Sequence, residues 1–350
     1  MKDASESFCF AAMRSVSRNV GEEIQWVAQE QFLPHVDCLA SKCHLSEFRP
    51  KKPTKLIMNG YYHIDLGREL VPGDKVDPLL ISMHIYHGQY KALKNSRRAR
   101  EFLLRHSPVG CRDMVTLEFF KSIDIPAYFS GCLTLTLQRN EQIPKNDYIV
   151  CVGLSDDEIK VVKERTSHRV ITSDRLMPLL FGQETRMDVA RAFLALYQGA
   201  HCVVTKMLHV SLPCLALGTP VLLIEHNSGD KDHRLDRYAG FLDTLHHVTH
   251  DKFVAGKYDF DFDAPPPNPT GYLAVRDGLI ETCKRFTGIE ALVPQLTVTD
   301  PLGYFVKILS TWRYYGCERW HATYAIEKSE MLKALWYRCF CGRVAGDLYF

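Results

Sequence analysis

The stretch Cys202-Val-Val-Thr-Lys-Met-Leu-His-Val-Ser-Leu-Pro-Cys-Leu-Ala-Leu-Gly-Thr-Pro-Val-Leu-Leu-Ile224 decides the fold class. Cys202 to Thr205 is an apolar run of strand length, Pro220 to Ile224 is another, and the Leu/His/Pro segment between them reads as a helix. Short apolar runs alternating with helices are the pattern of an α/β layer protein. The alternation continues upstream. Met187 to Gln198 reads as a helix with Ala190, Phe193, Leu194 and Tyr197 on its apolar face, and Gly199 stands where a helix C-cap prefers glycine. Tyr148 to Val152 and Arg169 to Thr172 are strands, and Ser155 opens a charged helix running through Glu164.

Before the polar stretch Gln138 to Asp147 lies a first alternation of the same kind. Val20, Ile24, Val27, Ala28 and Phe32 share a helical face after the turn Arg18-Asn19-Val20-Gly21. Lys55 to Met58 and Leu79 to Ile85 read as buried strands, Phe8 to Met13 as a weaker one, and Lys91 to His106 as a basic surface helix. Pro108 to Cys111 and Pro126 to Ser130 are strand-like and flank the helix Asp113 to Ser122, where the Asp113 carboxylate meets free backbone N–H groups. Two Rossmann-like halves facing a cleft follow, residues 1–140 and 146–300, with a helical tail over 301–350 that packs on the body. Asp259-Phe-Asp-Phe-Asp263 runs into Pro265-Pro-Pro267 and reads as a solvated loop. Leu273 to Phe286 and Ile308 to Tyr337 read as helical, and Trp312, Tyr314, Tyr315, Trp320 and Trp336 suit packing against the body or a partner.

Composition narrows the classes. The 350 residues are 46% hydrophobic and 24% charged, a balance that excludes wholesale disorder. With 43 Lys+Arg against 41 Asp+Glu the formal charge is +2, which disfavours a general nucleic-acid binder. The twelve cysteines are spread from Cys9 to Cys341, several inside apolar runs, and read as reduced thiols. Neither Cys38, Cys43 and His44 nor Cys339 and Cys341 has the paired spacing of a zinc module, so no metal is expected. Val210 to Ile224 is too short for a membrane span and is broken by Pro213, Gly218 and Pro220. No basic-then-apolar leader opens the sequence, and the expected location is cytoplasmic.

In open α/β sheets ligands bind at the carboxyl ends of strands, where helix N-termini present free N–H groups. That rule selects Asn19 to Glu23, Gly110 to Asp113, Ser130 to Cys132 and Thr205 to His209. Two of these carry fixed positive charge. Arg112 can pair a carboxylate or phosphate through two parallel bonds, or can simply pair Asp113. Lys206 offers a point charge, and His209 can exchange a proton near neutral pH unless it is a structural histidine.

These residues resemble a known family. Pro108-Val-Gly-Cys-Arg-Asp-Met-Val-Thr116, Ile125-Pro-Ala-Tyr-Phe-Ser-Gly-Cys-Leu-Thr-Leu-Thr-Leu137, Arg191 to Tyr197, Val203 to His209 and Leu212 to Val221 are similar to the polysaccharide pyruvyl transferases. Asn19 to Gln25, Met58-Asn-Gly60 and Ile81-Ser-Met-His84 fit the same family, so the resemblance spans roughly residues 18–242. It implies a fold like the two-domain GT-B glycosyltransferases, with the acceptor on the N-terminal half and the donor on the C-terminal half. It implies transfer of pyruvate from phosphoenolpyruvate to a saccharide as a ketal, with release of phosphate and no other cofactor. By the same resemblance His209, Arg112 and Asp113 are catalytic, and Asn19, Gly21, Glu22, Gly131, Lys206, Leu208 and Arg237 contact substrate. Two positions depart from the family pattern: Glu22 follows Gly21 where aspartate is usual, and Met207 precedes Leu208-His209 where arginine is common. Lys206 is the neighbour able to compensate. A nucleotide-sugar glycosyltransferase using the same cationic cleft, and a relative that binds glycan or anion without turnover, are the alternatives.

Overall fold

Two runs of strand and helix close separately into parallel sheets in the computed structural model, which describes residues 8–15, 17–173, 177, 182–226 and 235–314. The first sheet holds β1 (Cys9–Arg14), β2 (Cys38–Ser41), β3 (Thr54–Tyr62), β4 (Val76–Ile85), β5 (Val109–Cys111) and β6 (Ala127–Phe129), in the order β2-β1-β3-β4-β5-β6. The second holds β7 (Tyr148–Val152), β8 (Arg169–Ser173), β9 (Cys202–Thr205), β10 (Val221–Glu225) and β11 (His246–Thr249), in the order β11-β10-β9-β7-β8. Every pairing is parallel. The helices are α1 (Val20–Glu30), α2 (Leu66–Glu69), α3 (Tyr90–Asn95), α4 (Arg97–Arg105), α5 (Met114–Ser122), α6 (Asp156–Lys163), α7 (Gln183–Gly199), α8 (Leu208–Leu217), α9 (His250–Val254), α10 (Leu273–Thr287) and α11 (Pro301–Tyr314). This is the α/β, Rossmann-like arrangement expected from the alternating pattern.

Local chemistry explains where the elements begin and end, and where expectation and structure part. The basic segment 91–106 is two helices, because Ser96 is extended and its hydroxyl caps the Ala99 N–H of α4. Gly199 ends α7 without capping it; the cap is the extended Ala200. A Cβ at Gly199 would stand 2.7 Å from the Tyr148 hydroxyl, so close packing is what requires glycine there. The acidic run 259–263 is only half solvated: Phe260 and Phe262 are buried in the core beneath the second sheet, with Asp259, Asp261 and Asp263 outward. Helix α10 falls inside the segment 146–300 but packs against the first half, its Val275 over Gly131 and its Phe286 beneath the Lys55 ammonium. The C-terminal helix begins at Pro301, seven residues before Ile308, and Phe305 meets Phe193 of α7 edge to face at 4.9 Å. Tyr315, Trp320 and Trp336 lie outside the described residues, as do the side chains of Trp312 and Tyr314.

The halves meet where α1 crosses α7. One hydrophobic core runs through this seam, from Ile24 and Val27 on α1 to Ala190, Phe193 and Leu194 on α7. Inside it Arg186 of α7 donates from Nε to Glu23 Oε1 at 2.8 Å, with both side chains fully buried. Arg191 reaches Glu30 at 2.9 Å nearer the surface. Burial pushes the Glu23 carboxyl up to about 7 although Arg186 pulls it down. The folded value therefore lies above the unfolded one, and this group favours folding fully below about pH 4.5, losing that contribution as pH rises through about 7. Glu23→Gln removes the titration. The unfolding free-energy gap between wild type and variant should thus shift by about 3 kcal/mol at most between pH 4.5 and 8. Chemical denaturation at both pH values measures it, and parallel pH profiles would assign the slope to other carboxylates.

Candidate active site

The strand order of each sheet reverses once, between β1 and β3 in the first and between β7 and β9 in the second. A crevice opens at such a switch point, beyond the carboxyl ends of the strands. Here the two crevices are occupied by the start of α1, after β1, and the start of α8, after β9. Asn19 caps α1, its Oδ1 accepting from the Gly21 N–H at 3.0 Å. His209, in the first turn of α8 and 5% exposed, lies against Gly21: a Cβ there would stand 3.1 Å from His209 Cβ and Nδ1. Glycine is what lets the helix starts meet. The cleft between them is lined by Asn19, Gly21, Lys206, Leu208, His209 and Arg237, among others.

Behind this cleft the first sheet carries a buried charged cluster. Arg112 leaves β5 with its backbone N–H on Met83 O at 2.8 Å, and its side chain is fully buried. Nη1 donates to Gln25 Oε1 at 3.4 Å, a long bond. Nε stands 3.7 Å from Asp113 Oδ2, an ion-pair separation, and neither Nε nor Nη2 has a hydrogen-bond acceptor among the described residues. Unmade bonds on a buried charged donor cost about 1–3 kcal/mol, so such a group is poised for an acceptor that the described residues do not provide. Burial and the neighbouring Arg237 charge hold Arg112 below the ordinary arginine value, against Cys132, Asp113 and Glu22. Arg237 itself lies over the Tyr61 ring at 5.5 Å.

The acids of the cluster are engaged. Asp113 caps α5 by accepting from Thr116 N at 2.9 Å, and its other oxygen accepts from His84 Nδ1 at 2.5 Å. Burial raises the Asp113 carboxyl, but the His84 hydrogen bond and Arg112 leave it below its usual range. Burial and Arg112 push His84 down to about 4, so its imidazole is neutral at neutral pH. Glu22 is bonded to the buried Lys42 ammonium; burial raises it, yet Lys42, Arg112 and Arg237 bring it below the usual range. The acids of the cluster are thus ionised and paired, and the edge of Arg112 stays open among the described residues.

Other expected site residues fall elsewhere. Lys206 lines the cleft, but its Nζ pairs the buried Glu158 at 2.7 Å, which also accepts from His250 Nδ1 at 2.6 Å. Met207 precedes α8 with its side chain over Gly153, where a Cβ would meet Met207 Cε at 2.5 Å. Gly131 sits at φ +74 beneath Val275 of α10, where a Cβ would be 2.4 Å from Val275 Cγ1. Its requirement is packing and a left-handed turn, away from the cleft lining. Among the described residues no cluster of acids, histidines and cysteines could hold a metal ion, and no helix is long and apolar enough to cross a membrane.

The segment from β4 through the start of α8, with arginine at the end of β5, resembles a known family. Residues 81–228 match the polysaccharide pyruvyl transferase family. The match supports a transferase and implies a saccharide acceptor. It contains His84, Arg112, Asp113 and His209, and leaves Asn19 to Glu22 and Arg237 outside its bounds. No curated protein matches the chain. A crystal structure of a functionally uncharacterized protein from Klebsiella pneumoniae subsp. pneumoniae NTUH-K2044 is similar at 17% identity and a TM-score of 0.46, covering 69% of this chain and 93% of that one.

Within the segment that matches the family, His84 is visible in the sequence only as part of a matching block. No spacing rule pairs it with Asp113, since β4 and the start of α5 are joined by the sheet alone. Lys42 gave no signal, because its partner Glu22 lies on another element. The open donors of Arg112 make it the residue to test for anion binding. Arg112→Lys loses the planar fork and should weaken inorganic phosphate binding about tenfold by calorimetry. Unchanged affinity would reduce Arg112 to its pairing with Asp113.

Proposed function

We propose that the protein transfers pyruvate from phosphoenolpyruvate to a saccharide as a ketal, in a cleft between Rossmann-like halves of GT-B type. The observation that carries the reading is the fully buried Arg112 guanidinium, whose Nε and Nη2 lack acceptors among the described residues, in a cluster with Arg237. A donor bearing a carboxylate and a phosphate needs cations of this kind, and the starts of α1 and α8 add backbone N–H groups of matching sign. His209 is the acid that protonates the methylene carbon, which places positive charge on the carbon bearing the phosphate ester. Two hydroxyls then bond that carbon in turn and phosphate departs, its charge neutralised by the arginines. Lys206 does not replace the missing family arginine in this scheme, because Glu158 neutralises it; the donor falls to Arg112 and Arg237.

One observation favours the binding-only alternative: at Met207 and Lys206 the second half presents no uncompensated charge from its β9–α8 turn. Phosphate release from phosphoenolpyruvate in the presence of a galactoside separates the readings. On the proposed function, His209→Ala abolishes release and leaves the thermal midpoint within a few degrees. An active but destabilised variant, down by ~2–5 kcal/mol as after a large-to-small core change, would make His209 a packing residue.

Met207→Arg tests the departure from the family. An added cation beside the donor should tighten phosphoenolpyruvate binding by about tenfold, the scale of one charge-assisted hydrogen bond. An inert wild type made active by Met207→Arg would establish the binding-only reading. Lys206→Met should lower the unfolding midpoint by stripping Glu158 of a partner, with donor affinity unchanged; a selective loss of donor affinity would return Lys206 to the donor site.

A further inference from the structure

The carboxyl rim of β3 and β4 carries aromatic rings that the donor site does not use. Tyr61 stacks with His63 and with His84, both at 5.2 Å between ring centres, and meets Tyr86 edge-on at 6.2 Å. Tyr86 is 37% exposed and His63 is exposed, whereas His84 is 7% exposed beside Arg112 and Asp113. Register places His84 here. Leu80 pairs with Met58 but Met83 with Gly60, so Ile81 and Ser82 together oppose Asn59 in a bulge. Ser82 takes the left-handed φ of +52, unusual for serine, and its N–H is held by Ser130 Oγ at 3.1 Å. Bulges re-aim side chains, and strained backbone persists only where its surroundings enforce it. Two residues beyond the bulge, His84 meets Asp113.

We propose that the acceptor saccharide lies over the ledge of Tyr61, His63 and Tyr86, with its attacking hydroxyl on His84 Nε2. The inference rests on the pyruvyl transfer reading and deepens it. A pyranose presents C–H groups on one face and hydroxyls at its edge, and an aromatic ring with a polar tip suits both. Asp113, ionised, accepts from Nδ1 of His84, which leaves Nε2 as the lone-pair nitrogen of a neutral imidazole. No hydrogen bond occupies Nε2 among the described residues. Asp113 orients the base in this arrangement, as the third group of a nucleophile–base–orienter set does.

The proton balance closes. His209 gives a proton to the methylene carbon. The first hydroxyl oxygen bonds the adjacent carbon and its proton passes to His84 Nε2. The carbon–oxygen bond to phosphate breaks with its electron pair going to phosphate, which leaves carrying the proton from His84. The second hydroxyl closes the ketal, and its proton replaces the one His209 supplied.

The groups facing the His84 ring are Asp113, Arg112, Arg237 and Tyr61. Burial with Arg112 holds its folded value near 4, so the free enzyme should lose kcat/KM only as pH falls through about 4, when His84 takes up a proton. His84→Gln should lower kcat by about 100-fold and abolish that acid limb, with the KM for phosphoenolpyruvate unchanged. Tyr86→Ala, at an exposed position, should weaken binding of methyl pyranosides (galactose, glucose and mannose) about tenfold by saturation-transfer NMR without donor. Wild-type kcat in His84→Gln, or a donor KM rising in step with its loss, would overturn the base. Undiminished pyranoside binding in Tyr86→Ala, or no binding by the wild type, would overturn the ledge. A wild type that binds pyranosides and never releases phosphate refutes the transfer reading. The base falls with it, while the ledge stands on the Tyr86→Ala result.

Discussion

Glu23 and Arg186, both fully removed from solvent, join the two sheets through α1 and α7, and the rest of the molecule is arranged around that contact. A buried ion pair contributes little net stability, because desolvation of both groups offsets their attraction. What it does is exclude other alignments: displaced by a turn, α1 and α7 would each bury an unpaired charge. The apolar residues around the pair merge the halves into one core, so the cleft has a rigid floor. From that floor α1 and α8 start toward each other, close enough that a Cβ at position 21 would crowd His209 at 3.1 Å.

The electrostatics of the cleft follow from pairing. Lys42 is matched by Glu22 and Lys206 by Glu158, while Asp113 divides its oxygens between His84 and the first turn of α5. Among the described residues Arg112 is left with two of its donor nitrogens open although it has no contact with solvent. Burial makes the arrangement selective, since attraction in a low-dielectric site falls off far less than at the surface. Burial, with the charge of Arg112, also keeps His84 neutral beside a carboxylate, a state in which an imidazole can accept a proton.

The two sides of the cleft differ in the charge they leave unpaired. The second half offers Met207 packed on Gly153 and a lysine already paired, whereas the first half offers Arg112 with Arg237 above Tyr61. The half that carries Arg112 also carries the rings of Tyr61 and Tyr86, so the buried guanidinium and the aromatic ledge share one sheet rim. Ser82 at positive φ and the bulge before His84 show the backbone bent to serve that rim.

Much of this was legible from the chain. The strands at Tyr148–Val152 and Cys202–Thr205, the Asn19 and Asp113 caps and the Ser155 start of α6 are set by interactions within a few residues, and their signals are local. Arg112 and His209 were marked as well, because strand ends that lead into helices have a recognisable sequence form. Short β2 and β11 escaped notice, being too brief for periodicity to register. The bend at Ser96 was missed because a basic helical stripe masks a capping serine. Sequence alone determined the layer class, the helix starts and the chemical types gathered near them. Tertiary structure decided which charges remain open: Lys206 meets Glu158, Glu22 meets Lys42 and His84 meets Asp113 across different elements. Pair energies depend on distance and burial, and both are properties of the folded chain.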